Sequence, residues 1–116
     1  MKQFAFDVAK RHYSADEFGD YIKDTMQNIL YKFHEKNAQY GGEDIFSQIR
    51  EEAERMSPEN YEVTVDKMVN VILSHKDKHD VSMLRHGTDL SDFSDRAEDI
   101  IIYVLMANFL YQKASY

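Results

Sequence analysis

The chain has 116 residues, a net charge of −7 and no cysteine. That length fits one domain and excludes a large multidomain enzyme; the missing cysteine excludes a disulfide framework, a thiolate zinc site and a cysteine nucleophile, and suits a reducing cytosol. Four Gly and one Pro are too few for a turn-rich β-sandwich or a disordered chain, while 7 Phe, 8 Tyr and 43% hydrophobic residues supply a compact core built on long helices.

Residues 1–13 open the chain as a short helix or an extended arm. Phe4, Phe6 and Val8 alternate as a strand would; Phe4, Val8 and Arg11 suit a helix. Ser14-Ala15-Asp16-Glu17 is a capping box and starts a first long helix. Phe18, Ile22, Met26, Ile29, Leu30 and Phe33 follow at spacings of three and four and share one face. Gly41 and Gly42 are placed to end it, since glycine adopts the left-handed C-terminal position without penalty.

A second helix is expected from about Glu43 to Met56, with Ile45, Phe46, Ile49, Ala53 and Met56 as its apolar stripe. Ser57-Pro58 marks a break. A third helix is expected from about Glu59 or Thr64 to His75, lined by Tyr61, Val65, Met68, Val69 and Ile72. The polar stretch 76–90 reads as a long loop. Ser91 or Ser94 then caps a last helix that continues to about Lys113. Its apolar residues, among them Phe93, Ile100, Ile101, Val104, Leu105 and Leu110, cover more than one stripe. Such a helix is central in a bundle or buried in a dimer. The fold expected is an all-α bundle of about four helices, a homodimer through the last one.

The longest apolar run, Ile100 to Ala107, is far short of the ~20 residues that cross a bilayer, so no membrane span is expected. The acid is uneven. Between Glu43 and Glu62 stand Glu43, Asp44, Glu51, Glu52, Glu54, Glu59 and Glu62, against only Arg50 and Arg55. Such a surface repels a phosphate backbone and argues against direct DNA binding.

Three constellations carry possible chemistry. Glu51 and Glu54 are three apart and Asp95 and Asp99 four apart, so each pair lies on one helix face. Two such helices facing each other would make an oxygen-rich cage for Mg²⁺. The turn Lys36-Asn37-Ala38-Gln39-Tyr40-Gly41-Gly42 offers a cation for phosphate and a ring for a base. His75 and His79 are four apart and share a face if helical, but they lack the glutamate of the H-E-x-x-H signature. Their basic neighbourhood suits a helix C-terminus without any ligand.

These residues give the chain a resemblance to the nucleotide modification associated domain 1 family, small helical proteins frequent in phages. Lys36, Asn37, Tyr40 and Gly41 match that family's K-N-x-x-Y-G turn. Lys67, in Val65-Asp66-Lys67-Met68, matches its helix lysine, and Asp95, Asp99, Ile100 and Tyr103 match its closing D-x-x-x-D-[IL]-x-N-Y stretch. Asn70 stands where the family has arginine, and Ile102 where it has asparagine. The resemblance implies nucleotide handling in a phage-infected host's cytoplasm, with Lys36, Asn37, Tyr40 and Lys67 on the nucleotide. The carboxylate layout is similar to that of the all-α nucleoside triphosphate pyrophosphatases, which implies Mg²⁺ on Glu51, Glu54, Asp95 and Asp99.

A second expectation needs no catalysis. The acidic helix, with Glu43, Asp44, Glu51, Glu52 and Glu54, would occupy the nucleic-acid groove of a basic host or defence protein and inhibit it.

Overall fold

The structure, a computed structural model, describes residues 5–40, 44–58 and 62–114, with only the backbone given for 5, 6 and 38–40. The described residues contain five α-helices and no strand, so the protein is all-α. In chain order these are α1 (Ala5–Lys10), α2 (Ala15–Tyr40), α3 (Ser47–Arg55), α4 (Val65–His86) and α5 (Phe93–Ala114). None is long and apolar enough to cross a membrane. The chain divides into two compact units, residues 1–40 and 41–116.

The first unit is built from α1 and α2. The Tyr13 hydroxyl donates to the carbonyl of Val8, closing the turn after α1. The Ser14 hydroxyl accepts from the Glu17 N–H at 3.0 Å, as the capping box requires. Asp16 and Glu17 then place negative charge against the positive end of the helix dipole. Phe18 and Tyr21 meet edge to face at 6.1 Å. The glycines expected to end this helix, Gly41 and Gly42, lie outside the described residues.

The second unit holds a continuous core. Phe46, Ile49 and Ala53 of the α3 segment meet Met68, Val71 and Ile72 of α4, and Tyr103, Met106, Ala107 and Leu110 of α5 pack against them. The spacing explains the choice of face. Phe46, Ile49 and Ala53 are three and four apart, as are Met68, Val71 and Ile72. Ile72 is fully buried. α4 is the central helix, because it contacts both α3 and α5. α5 is expected either there or buried in a dimer. It has no fully buried residue, and Val104 and Leu105 remain nearly half exposed.

One helix start departs from expectation and one agrees with it. α3 begins later than Glu43, at Ser47, after a turn held by Asp44. The Asp44 carboxylate accepts from the Phe46 N–H at 2.9 Å and from the Arg50 guanidinium. These two bonds, the Arg50 one foremost, hold Asp44 below the usual carboxylate range. α4 begins at Val65, with Thr64 as its cap and the Thr64 hydroxyl accepting from the Lys67 N–H at 3.3 Å. Ser57, at the expected break, serves the end of α3, donating its hydroxyl to the Ala53 carbonyl at 2.7 Å.

The largest departure is the expected loop over 76–90. α4 runs straight through it to His86. Residues 76–86 contain no Gly or Pro, so nothing breaks the backbone ladder. Lys76 and Asp80 pair one turn apart, and Arg85 and His86 suit the negative end of the dipole. Gly87 stops the helix at φ 56, ψ −144, its N–H reaching the Met83 carbonyl. A short 3₁₀ turn, Gly87–Asp89, leads into α5.

No atom would crowd a Cβ at Gly87, so a substitution there meets only backbone strain. Gly87→Val is expected to cost about 1–3 kcal/mol, because that backbone region is nearly closed to a β-branched residue. Thermal unfolding followed by circular dichroism checks it. An unchanged midpoint would mean that the α4–α5 turn has other conformations at no cost.

Candidate functional site

The densest polar cluster lies where α3, α4 and α5 meet. His75 and His79 stand one turn apart on α4 and turn the same way. The ring of Tyr103 on α5 stacks on both, with centroids 5.9 Å from His75 and 6.0 Å from His79. The planes are inclined by 17° and 25°. Burial pushes the Tyr103 hydroxyl above its ordinary pKa, and the charges of Asp99 and Glu52 add to the shift.

Each histidine has its own polar partners. His75 Nε2 lies 2.8 Å from a carboxylate oxygen of Glu52 on α3. That hydrogen bond is the largest influence holding Glu52 below the usual carboxylate range; the charges of His75, Arg55 and Lys78 act the same way, and desolvation opposes them. His79 Nε2 lies 3.7 Å from Asp99, and its Nδ1 is 3.2 Å from the Arg96 guanidinium. A guanidinium can only donate, so Nδ1 accepts and the ring proton sits on Nε2, toward Asp99. Arg96 is itself held by both oxygens of Asp92, at 3.2 and 3.1 Å.

The expected metal residues lie otherwise. Glu51 and Glu54 project from the exposed side of α3, where they border a shallow depression with Arg55. Asp95 is exposed near the start of α5, and Asp99 faces His79. Among the described residues, no three His, Asp or Glu side chains are grouped so as to hold a metal ion.

The expected nucleotide residues are divided. Lys36 and Asn37 lie within α2 rather than in a turn, and Tyr40 is the last residue of that helix. All three belong to the first unit. Lys67 belongs to the second, in the first turn of α4, where its ammonium donates to the Glu62 carbonyl at 3.4 Å. Gly41 and Glu43 lie outside the described residues.

A second concavity, about 600 Å³, runs along the start of α4 and the end of α5, lined by Val65, Val69, Val104 and Ala107 with Asp66 and Asn108 at its edges. It is open and mostly apolar, without a convergent set of charged groups.

No family model, curated protein or solved structure matches this chain. Its chemistry is therefore read from its own residues.

Sequence reasoning did not bring Glu52 to His75, or Tyr103 to the two imidazoles. One signal was available. His75 and His79 share a face only on a helix, and that face needs a neighbour; a helical reading of 76–86 would have sent the search to the polar positions of α5.

Proposed function

We propose that this protein is an acidic interaction module that occupies the nucleic-acid-binding groove of a basic partner protein, with no catalysis of its own. One observation carries the reading. Ile49 and Ala53 fasten one side of α3 into the core, and Glu51 and Glu54 stand exposed on the other side. Neither glutamate forms an ion pair among the described residues, so both charges remain available to a partner. Asp44 and Glu52 have local work, the first in the turn before α3 and the second against His75. The net charge of −7 supports fast, salt-sensitive association with a basic surface.

Reversing Glu52 would disturb His75 as well as the surface, so the informative variant is Glu51→Lys with Glu54→Lys. Nucleic-acid-binding proteins from a cell lysate are passed over the immobilised wild type and the double variant. The expected result is a bound protein that is released by salt and by duplex DNA, and that the variant fails to retain although its circular dichroism is unchanged. Surface substitutions of this kind cost the fold little. Equal retention by both proteins, or indifference to DNA, would overturn the reading.

A further inference from the structure

α5 presents an open side. Tyr103, Met106, Ala107 and Leu110 turn toward the core. The opposite side therefore carries Ile101, Leu105, Asn108 and Gln112, spaced four, three and four apart. Leu105 is 47% exposed, and Val104, Phe109 and Tyr111 beside this stripe are exposed as well. Those four apolar side chains leave roughly 400 Å² open, as much as the largest patch of a typical monomer. The 600 Å³ groove adjoins them, with Val104 and Tyr111 on one wall and Val65 and Val69 of α4 on the other.

We propose that this side of α5 is an interface with a second copy of the chain, whose α5 lies antiparallel against the first. Charge selects that occupant. The chain has a net charge of −7, so two copies repel wherever their charged surfaces meet. From Ile100 to Gln112, α5 carries no charged residue. Its charges stand at the ends: Asp95, Glu98 and Asp99, offset only by Arg96, near the start, and Lys113 in the last turn. Antiparallel pairing sets Lys113 of each copy near the acidic start of the other and opposes the two helix dipoles. Parallel pairing would set acid on acid.

Spacing and area agree. Four, three, four reads the same from either end, as a two-fold contact between identical helices requires. Ile101 then lies over the Gln112 stem of the other copy, and Leu105 beside its Asn108. A standard interface buries about 800 Å² per partner. The four exposed apolar side chains supply about half of that, and the amides of the stripe and the α4 wall of the groove adjoin them. With two amides in the stripe, a micromolar dissociation constant is expected. The interface holds whether or not the acidic face of α3 binds a partner, because it involves α4 and α5 alone.

Sedimentation equilibrium of the full chain tests it. The mass should rise from 13.7 kDa toward twice that value between about 1 and 300 µM. Leu105→Lys should weaken association about a hundredfold or more and leave the circular dichroism unchanged. Asn108→Lys, at another exposed residue, decides the result if Leu105→Lys does not fold. The direction of pairing is read from a spin label on Ser94→Cys, in a chain with no other cysteine. The two labels should lie about 35–40 Å apart, against about 10–20 Å in a parallel pair. A wild type that stays monomeric at the upper concentration, a folded variant that still pairs, or a short label distance would overturn the interface.

Discussion

Lys78→Pro is expected to cost about 3 kcal/mol or more and to break α4 at its middle. Lys78 is exposed, so the change removes no core packing. Proline has no N–H to give the Ser74 carbonyl, and its ring clashes with that same carbonyl. The kink would fall between Ser74 and Lys78, one turn before His79, and would part the two imidazoles from Tyr103. A loop over 76–90 would accept the same proline at almost no cost, so the variant separates the two readings of this stretch. Urea and thermal unfolding by circular dichroism give the measurement, with Lys78→Ala as control. A proline variant as stable as the alanine variant would show that residues 76–86 are not a helix.

Ile72→Ala should be comparably severe for a different reason. Ile72 has no exposed surface and sits at the centre of the α3–α4–α5 core. Removing its outer carbons leaves a cavity, and large-to-small changes of this kind cost about 2–5 kcal/mol. For a unit the size of residues 41–116, that lowers the thermal midpoint by roughly 10–25 °C. Val104→Ala is the counterpart, since Val104 is 44% exposed and its loss should move the midpoint by only a few degrees. Equal shifts in the two variants would mean that the core is centred elsewhere.

Local signals carried much of the fold. The Ser14 hydroxyl and the Glu17 N–H are three residues apart, so the start of α2 was visible in four letters. Thr64 and Lys67 repeat that geometry at α4. Ile49 and Ala53, and Met68 and Ile72, are each four apart and fall on the buried faces that periodicity assigned them. The stretch 76–86 was misread because it is polar. Its helix is maintained by continuity with the packed turns before it and by the Lys76–Asp80 pair, rather than by an apolar stripe of its own. The site was less legible. Glu52 and His75 are 23 residues apart, and no local rule joins an acid on one helix to an imidazole on the next. Asp99 is a charge placed directly beside Ile100, Ile101 and Ile102, and the structure sets a histidine of α4 against it.

The stack of Tyr103 on two imidazoles also acts as a vernier between α4 and α5. His75 and His79 are separated along α4 by about 6 Å of helical rise, and the Tyr103 ring is almost equidistant from both. Sliding α5 along α4 by half a turn in either direction would draw the ring toward one imidazole and away from the other. A slide of a full turn would leave one imidazole without its ring and carry Arg96 and Asp99 past His79. Aliphatic surfaces tolerate small longitudinal offsets, because one methyl group replaces another. A ring set equally far from two imidazoles does not, so this pair of helices has one preferred alignment even though much of α5 remains open to solvent.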